Sequence, residues 1–381
     1  MKTFDEIFSE IKRRCDSYDP EQKRAELKEK LSRRRIVLFG AGMFCDSIYT
    51  ALKEYGMDAE CVCDNYKKGA DPKTGLKIIT PAALRETLLD ANVVITAASV
   101  EPHEEIHEQL ISMGFVRDRI FSFNQAMEFV NQVHVAITRM SLTKFLTYKE
   151  GHKRAYDFFR DDLSRRILIG RINSYLFNDS MSEYAVPNEY FPDEFKFSDD
   201  EVFVDGGLYN GDTVRLFIDK VGGKYNRIFG FDIDENNITE ARENLSMFSN
   251  VEIVNKGLWN HEETVKANLR ARAGSGVNPE GSDRADMVSL DEFLVAYGDT
   301  RVTYIKLDIE GAEYSALMGA RKTIADCAPA LAVCVYHQPQ DVYELLELIN
   351  GINPQYSFML RHHLPSCNFD TVLYCYQDKS F

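Results

Sequence analysis

Hydrophobic residues fall into short continuous runs that alternate with longer stretches where they recur every three or four positions. Runs such as Arg35–Phe39 (RIVLF) are apolar at nearly every position, which is typical of a parallel strand buried on both faces. The alternation of such runs with helical stretches occurs twice, over residues 33–123 and 198–381. This pattern predicts an α/β protein with two mostly parallel sheets.

The first α/β unit, residues 33–123, shares its class but not its motifs with the second, and its pattern predicts four strands and three helices. Its strands are Arg35–Phe39, Ala59–Cys63, Ala91–Ala98 and Arg119–Phe123, and its helices are Phe44–Tyr55, Pro81–Leu89 and Pro102–Met113. The pattern of the second α/β unit predicts five strands of the same apolar type, at Val202–Asp205, Arg227–Phe231, Val251–Lys256, Tyr304–Leu307 and Ala330–Tyr336. Its helices are Thr213–Lys220, Ile238–Phe248, Leu290–Tyr297, Ala312–Ala325 and Gln340–Asn350, and two last strands, Tyr356–Arg361 and Asp370–Tyr376, are predicted to form a hairpin.

In the segments outside the two α/β units, hydrophobic residues recur at the spacing of a helix, and no strand pattern is present. Residues 1–32 are predicted to form an N-terminal helical arm, and residues 124–197 a helical connector. Between them, residues 33–123 are predicted to form a Rossmann-like domain of the nucleotide-binding type. Residues 198–381 then form the second α/β domain.

Charge and composition narrow the classes of partner. Acidic residues outnumber basic ones by 60 to 45, so most of the surface repels a phosphate backbone, and nucleic acid is not an expected partner. No apolar run approaches the ~20 residues that cross a bilayer, and the charged N-terminus has no apolar signal core. The 8 cysteines form no C-x-x-C pair, which favours buried thiols in a reducing compartment over disulfides or zinc. We therefore expect a cytoplasmic protein without a membrane span.

The most informative motif is a strand, a glycine-rich turn and a helix start, in the segment VFVDGGLYNGDT at residues 202–213. Asp-x-Gly followed by a further glycine is the pattern that cradles S-adenosylmethionine, and an acid at the end of the next strand, Asp232, can accept bonds from ribose hydroxyls. The structural alternative is that the glycine-rich segment is only a tight turn and that Asp232 only caps the following helix. The residues assigned to the cofactor are Asp205, Gly206, Gly207, Asn210, Gly211, Asp232, Ile233 and Asp308.

A second motif, YIKLDIEGAE at residues 304–313, places charges inside and just after an apolar strand. Lys306 and Asp308 share one strand face, and charges do not belong in a buried sheet unless they are paired or functional. They lie at the carboxyl edge, where open α/β sheets bind ligands. An ion pair between Lys306 and Asp308, with Glu313 as a helix-start acid, is the structural alternative.

Together, VFVDGGLYNGDT, IFGFDID, MVSLDEFL and YIKLDIEGAEYSALMGA resemble an FkbM-family S-adenosylmethionine-dependent methyltransferase, over about residues 198–376. The terminal hairpin fits the class I (Rossmann-like) methyltransferase fold. The resemblance implies methyl transfer to oxygen, with S-adenosylmethionine as cofactor and a hydroxyl of a sugar, glycan or secondary metabolite as acceptor. The acceptor is therefore expected to be a small molecule or a glycan. Its identity is not readable from the sequence, because acceptor pockets are built from loops such as Ala271–Arg284.

Methyl transfer to a hydroxyl needs a proton acceptor beside it. The candidates for catalysis are Lys306, Asp308, Glu310 and His337. Lys306 is expected to keep Asp308 ionised or to stabilise an alkoxide, and His337 follows the fifth strand and so reaches the same crevice. No metal is assigned, although Asp308, Glu310 and His337 form the one set that would suit a divalent ion.

The first domain carries a weaker motif. Gly40, Gly42 and the later Asp64 resemble a dinucleotide fingerprint and mark a second nucleotide site, although no set of hydride-transfer residues accompanies them. A structural role, or the handling of a nucleotide sugar, is favoured over NAD chemistry. The alternatives for the whole chain are a non-catalytic binding or assembly protein and an NAD-dependent sugar-modifying enzyme. The sequence leaves open whether the chain forms a homo-oligomer.

Overall fold

The structure, a computed structural model, describes residues 2–42, 44–97, 100–130, 140–269, 275–298, 300–364 and 370–377. The chain divides into two compact units. The first consists of Met1–Leu146, Ile169–Ala185 and Leu364–Phe369, and the second of Thr147–Leu168, Val186–His363 and Asp370–Phe381.

The elements up to residue 177 begin with two helices and end with four, and the strands and three further helices lie between them. In chain order they are α1 (Phe4–Ser17), α2 (Pro20–Ser32), β1 (Ile36–Phe39), α3 (Cys45–Glu54), β2 (Ala59–Cys63), β3 (Gly69–Ala70), β4 (Lys77–Ile79), α4 (Pro81–Thr87), β5 (Asn92–Ile95), α5 (Val100–Ser112), β6 (Ile120–Phe121), α6 (Phe123–Met127), α7 (Leu142–Phe145), α8 (Lys149–Phe158) and α9 (Asp162–Phe177). Local sequence sets the helix starts. Thr3 and Glu6 form a reciprocal capping box at α1, and Asp19 caps α2 ahead of Pro20.

The sheet of the first unit has the order β3-β4-β2-β1-β5-β6 over its described strands. All pairs are parallel except β3 with β4. Residues of β1 point alternately into two hydrophobic clusters, so that Leu38 packs on one side and Phe39 on the other. Burial on both faces explains why this strand is apolar throughout.

The second unit contains the longer α/β series. Beyond α8 and the start of α9, its elements are β7 (Val202–Gly206), α10 (Asp212–Lys220), β8 (Arg227–Phe231), α11 (Glu235–Leu245), β9 (Val251–Val254), β10 (Gly257–Leu258), β11 (Glu263–Asn268), β12 (Gly276–Val277), β13 (Asp283–Val288), α12 (Leu290–Val295), β14 (Tyr304–Leu307), α13 (Glu313–Gly319), α14 (Arg321–Cys327), β15 (Ala330–Cys334), α15 (Asp341–Ile352), β16 (Ser357–His362) and β17 (Thr371–Tyr376). No helix among the described residues is both long and apolar enough to cross a membrane.

The main sheet of this unit has the order β16-β17-β15-β14-β7-β8-β9 over its described strands. Its strands are parallel except β17, which is antiparallel to both neighbours and closes the predicted hairpin. The strand order reverses between β7 and β14, and in an open α/β sheet the crevice at such a point is where ligands bind. The predicted α/β class with mostly parallel sheets is confirmed.

A small second sheet, in the order β10-β13-β11-β12, is an element that the sequence pattern did not predict. The expected acceptor loop Ala271–Arg284 includes β12 and the start of β13, while residues 271–274 lie outside the described residues. These strands escape detection because β10 and β12 have two residues each and β11 (ETVKAN) is mostly polar.

Aromatic rings form the core beneath the first strand of the second unit. Phe203 is fully buried, and its ring centroid lies 4.6 Å from that of Phe217 and 5.5 Å from that of Tyr304. Phe191, from the segment before β7, packs against the same rings. The cluster joins the lead-in segment to β7, α10 and β14.

We expect Phe203→Ala to lower the free energy of unfolding by about 3–5 kcal/mol, because it opens a cavity among packed rings. Urea unfolding followed by Trp259 fluorescence is the measurement, since Trp259 lies in the same unit. Leu216→Ala on α10 is the control, with a side chain that is 58% exposed and an expected change within about 0.5 kcal/mol. Equal effects of the two substitutions would contradict the role of the cluster.

Candidate functional site

A cleft opens at the carboxyl ends of β7, β8 and β14, and encloses about 660 Å³ of space open to solvent. One part of its wall is apolar, with Ile233, Leu258 and Met287, and another carries the carboxylates Asp308 and Glu310. The remaining lining residues are Gly207, Tyr209, Phe231, Asp232, Asn237, Gly257, Ser275, Gly276, Val277, Ile309 and Ala312.

The glycine turn after β7 is packed against the end of β14. Gly207 has φ +81°, and a Cβ placed there would lie 1.9 Å from the carbonyl oxygen of Asp308. Gly211 has φ +84°, and a Cβ there would lie 2.7 Å from Leu245 Cδ1. Both glycines are therefore required by the packing of the protein itself, whatever ligand the turn holds.

A buried ion pair lies under this turn. Lys306 Nζ is 3.0 Å from Asp205 Oδ1, and both side chains are almost completely inaccessible to solvent. The same ammonium donates hydrogen bonds to the carbonyl oxygens of Gly206, at 3.2 Å, and Gly207, at 2.8 Å. Three oxygens thus surround a group that has three N–H donors. The sequence predicted that Lys306 would serve Asp308, but its direct partner is Asp205 on the neighbouring strand.

The charges of this pair support one another inside the protein. Burial raises the pKa of Asp205 to about 6, although the Lys306 ammonium opposes that change. Burial by itself would lower the pKa of Lys306, but the carboxylates of Asp205 and Asp308 raise it above its ordinary value. At neutral pH the pair is therefore an ammonium beside a carboxylate.

Asp232, at the end of β8, lies in the wall of the cleft and also organises its own turn. Its carboxylate accepts hydrogen bonds from the backbone N–H groups of Tyr209, at 2.9 Å, and Asp234, at 2.8 Å. Asn237 donates to the same carboxylate from α11. Burial raises the pKa of Asp232, and these donors oppose the change. The side chain joins the glycine turn to the second strand, at the position predicted for a ribose contact.

Asp308 lies at the opposite side of the cleft and is held by two phenols. Tyr190 donates to one carboxylate oxygen at 3.0 Å, and Tyr336 donates to the other at 2.9 Å. Burial opposes ionisation of Asp308, but Lys306, His337 and the two hydroxyls outweigh it and hold its pKa below the ordinary value. Asp308 is therefore a fixed carboxylate at neutral pH.

His337 follows β15, is 5% exposed and lies among carboxylates. Its Nε2 is 3.6 Å from Asp308 Oδ1 and 3.6 Å from Glu310 Oε2, and its Nδ1 is 3.1 Å from Glu313 Oε1. Burial would lower the pKa of His337, but the three carboxylates, Glu313 foremost, raise it to about 10. Glu313 also accepts the backbone N–H of Ile309, so it closes the turn between β14 and α13.

Further acids lie around this group. Burial, then the carboxylates of Asp370 and Asp308, raises the pKa of Glu189 well above its ordinary value. Burial and the Asp308 carboxylate raise the pKa of Asp370 to about 7. Burial is the first cause of both shifts, and it favours the neutral form of each acid.

Several non-glycine residues around the cleft have positive φ, which is uncommon and marks functional sites. They include Tyr190 at 63°, Tyr209 at 49°, Glu310 at 57° and Asp370 at 51°. Tyr190 is fixed by three bonds: its N–H donates to the Tyr374 hydroxyl, its carbonyl accepts from the Tyr304 hydroxyl, and its own hydroxyl binds Asp308. The surrounding structure therefore imposes this conformation.

The residues predicted for the cofactor separate into two groups. Those that line the cleft are Gly207, Asp232, Ile233 and Asp308. The others support it: Asp205 and Gly206 lie beneath the turn at Lys306, and Asn210 and Gly211 face α11 through Glu240 and Leu245. Among the predicted catalytic residues, Asp308, Glu310 and His337 come together, while Lys306 lies under the glycine turn.

In the first unit, the structure gives Asp64 a turn-forming role. Its carboxylate accepts backbone N–H bonds from Ala41 at 2.8 Å, and from Tyr66 and Lys67 at 2.9 Å each. A ribose would need acceptor positions that these bonds largely occupy. Gly40 has φ +112°, and a Cβ there would meet Thr96 Oγ1 at 3.0 Å, whereas a Cβ on Gly42 would meet nothing within 4 Å. The second nucleotide site stays a prediction.

Sequence reasoning did not identify several residues of the site. Tyr190, Glu189 and Asp370 are far from the motifs in sequence and reach Asp308 only through the fold. Two of these residues, Glu189 and Tyr190, lie in the segment Asn188-Glu-Tyr-Phe-Pro. An acid beside a tyrosine, just before a proline, is unusual in a helical connector and could have indicated them. Tyr336 directly precedes His337 at the end of β15 and was equally detectable.

Comparison with known protein families and solved structures identifies the class of protein to which this fold and site correspond. The chain is similar to the methyltransferase FkbM from Methylobacillus flagellatus KT, with 24% identity over 92% of this chain and 93% of that one, at a TM-score of 0.65. It also matches an rRNA methylase from Streptococcus thermophilus (18% identity, 47% and 86% coverage, TM-score 0.31) and a methyltransferase from Streptococcus mutans solved with SAH (14%, 51% and 91%, 0.30). The last two TM-scores are too low to support an inference. A search of curated proteins found no match.

The fold is that of a class I methyltransferase preceded by a smaller α/β domain. Residues 205–370 match the family model of the methyltransferase FkbM domain, and residues 32–121 match the family described as C2185-like, N-terminal. The second unit therefore carries an FkbM methyltransferase domain. The prediction of an FkbM methyltransferase domain is confirmed for residues 205–370, and S-adenosylmethionine is the cofactor of this domain.

We expect Gly207→Ala to disrupt the cleft, because the new Cβ would overlap the Asp308 carbonyl at a positive φ. The expected results are destabilisation by about 3 kcal/mol or more and loss of S-adenosylhomocysteine binding in calorimetry. Gly222→Ala is the matched control: Gly222 has φ +62° but nothing within 4 Å of an added Cβ, so it should cost about 1 kcal/mol and leave binding intact. Normal binding by both variants would refute the packing argument.

Proposed function

We propose that the protein transfers the methyl group of S-adenosylmethionine to a hydroxyl oxygen of a small polyhydroxylated acceptor, such as a sugar, a glycan or a secondary metabolite. One observation carries this proposal. A single cleft has an apolar end beside Asp232 and a polar end formed by Asp308 and Glu310. A nucleoside fits the first end, and an oxygen that must lose a proton fits the second.

The cofactor is assigned to the part of the cleft between the glycine turn and β13. Asp232 would accept a bond from the ribose, and Ile233, Leu258 and Met287 would contact the adenine. The backbone at Gly207 would face the methionine part, because the turn has no side chain there. The sulfonium is cationic, so the carboxylates of Asp308 and Glu310 would favour it at the polar end.

The reaction needs one bond to form and one to break. The acceptor oxygen attacks the methyl carbon in line with the sulfur, the C–S bond breaks, and S-adenosylhomocysteine leaves as a neutral thioether. The hydroxyl proton must leave as the O–C bond forms, and Asp308 and Glu310 are the carboxylates in the cleft wall that could accept a hydrogen bond from it. Tyr190 and Tyr336 fix Asp308, so its orientation does not depend on the acceptor.

Lys306 acts as a positioning residue in this proposal. Its ammonium is buried beside Asp205 and donates hydrogen bonds to the carbonyl oxygens of Gly206 and Gly207, so its charge serves these groups and not an alkoxide. It would hold the turn that binds the cofactor and would contribute its charge to Asp308 at a distance. Replacement of Lys306 should therefore impair cofactor binding as well as turnover.

The test of the function is methyl transfer from S-adenosylmethionine labelled in the methyl group to a panel of sugars, glycans and hydroxylated metabolites. The labelled product should retain its label through mild base, as expected of a methyl ether and not of a methyl ester. Binding of S-adenosylhomocysteine without turnover on any acceptor would instead favour a non-catalytic binding protein.

We expect Asp232→Ala to weaken S-adenosylhomocysteine binding by about 10- to 150-fold, the equivalent of about 1.5–3 kcal/mol for a lost charged hydrogen bond. Calorimetry is the measurement, with circular dichroism to check folding. Asp219→Ala, an exposed carboxylate on α10, is the control and should bind normally. Unchanged affinity in a folded Asp232→Ala protein would remove the ribose assignment.

We expect Asp308→Asn and Glu310→Gln to reduce kcat by about 10²- to 10⁴-fold, since each removes a charge from the acceptor side of the cleft. Affinity for S-adenosylhomocysteine should change by less than about threefold, because the loss concerns the transition state. Steady-state kinetics and calorimetry on the same preparations separate the two effects. Turnover at the wild-type rate in both variants would show that these acids have only a structural role.

A further inference from the structure

The imidazole of His337 is buried at the acceptor side of the cleft, and its bonding is incomplete. The ring is 5% exposed, and neither nitrogen makes a hydrogen bond to any residue that the structure describes. Buried polar atoms are nearly always bonded, so such a ring needs an explanation. Nδ1 faces Glu313 at 3.1 Å, whereas the two carboxylates nearest to Nε2 lie beyond hydrogen-bond distance.

The separations around Nε2 differ from those of hydrogen bonds. Asp308 Oδ1 and Glu310 Oε2 each lie 3.6 Å from Nε2, beyond the 2.7–3.2 Å that N–H···O bonds span. Two ligand atoms that share one metal ion at about 2.1 Å each lie roughly 3.0–3.5 Å apart at ordinary coordination angles. The two separations from Nε2 are therefore only slightly longer than those between ligands of one ion.

The second ring nitrogen, Nδ1, lies beside a carboxylate, as the second nitrogen of a metal-bound histidine usually does. Glu313 Oε1 lies 3.1 Å from Nδ1, and one ligand atom from each of Asp308, Glu313 and His337 lies within 4.8 Å of the others. A ligating histidine commonly directs its second nitrogen to a carboxylate, which fixes the ring. Glu313 is 1% exposed and is itself held by the N–H of Ile309.

The charge balance of the region also favours a cation. Asp308, Glu310 and Glu313 surround one imidazole. The nearby Lys306 is committed to Asp205. Buried carboxylates repel one another unless a positive charge lies among them. Without an ion that charge is the protonated imidazole of His337, whose proton a divalent ion would displace.

We infer that Asp308, Glu310 and His337 Nε2 bind one divalent cation at the acceptor end of the cleft, with Glu313 orienting the imidazole. Two carboxylate oxygens and one nitrogen suit Mg²⁺ or Mn²⁺. Glu310 is 40% exposed at its side chain and can rotate toward the ion, whereas Asp308 is held by its two phenols.

The consequence for chemistry rests on the proposed function. With three protein ligands, a six-coordinate ion retains three positions, enough for two neighbouring oxygens of the acceptor. Such an ion would polarise the acceptor hydroxyl, so that its proton passes to solvent or to a carboxylate as the oxygen takes the methyl group. The site therefore predicts an acceptor with adjacent oxygens, such as a vicinal diol or a hydroxy-carbonyl group.

The experiment is a Mn²⁺ titration of the full-length protein after treatment with EDTA and dialysis, with free Mn²⁺ followed by electron paramagnetic resonance. We expect one Mn²⁺ per chain and competition by Mg²⁺. His337→Asn and Glu310→Gln should each weaken binding by at least about 100-fold, and Glu313→Gln by about 10- to 100-fold. Asp286→Asn, an exposed carboxylate on β13, is the control and should bind like the wild type.

Absence of Mn²⁺ binding by the wild-type protein, or equal binding by the wild type, His337→Asn and Glu310→Gln, would overturn the inference. Glu310→Gln keeps the test decisive if His337→Asn does not fold, because Glu310 is partly exposed. S-adenosylhomocysteine calorimetry with EDTA is run in parallel. Cofactor binding without Mn²⁺ binding would refute the metal site alone, and Mn²⁺ binding without cofactor binding would refute the proposed function alone.

Discussion

The buried pair of Lys306 and Asp205 is the interaction on which the rest of the site depends. Removing two charges from water costs several kcal/mol for each ion, so such a pair persists only with good geometry and further hydrogen bonds. Here the ammonium also holds the carbonyl oxygens of Gly206 and Gly207. One cation therefore joins β7, β14 and the glycine turn into a single rigid edge.

The positions of the acceptor-side groups follow from that edge. Asp308 is the first residue after β14, and its backbone N–H donates a hydrogen bond to the carbonyl oxygen of Gly206 at 3.1 Å. The lack of a side chain at Gly207 lets the turn approach Asp308 closely. Tyr190 then covers the edge, with its ring 5.2 Å from the Lys306 ammonium and its hydroxyl on Asp308. The cofactor turn and the Asp308 carboxylate are thus fixed by the same contacts, which suits a reaction that requires two ligands in line.

Strand register explains where sequence reasoning about this edge succeeded and where it did not. Lys306 and Asp308 are two residues apart on one strand, so the sequence suggested that they serve each other. In the sheet, Lys306 lies directly opposite Asp205 on β7, and a cross-strand neighbour is closer than a residue two positions along the same strand. Lys306 and Asp205 are both visible in the sequence, but the sequence does not show that β14 and β7 are adjacent in the sheet. That information exists only after the chain has crossed over and paired.

The sequence by itself determined the α/β class, the strands that are apolar on both faces, the glycine turn and the acids at the strand ends. Each of these follows from local chemistry: periodicity of burial, backbone freedom at Gly207, and the cost of a charge within a sheet. The tertiary structure alone decided that Glu189, Tyr190 and Asp370 surround Asp308, and that His337 lies between Asp308 and Glu313. Those groups come from distant parts of the chain, and no local rule connects them, because the contacts form only when the sheet closes around a shared edge.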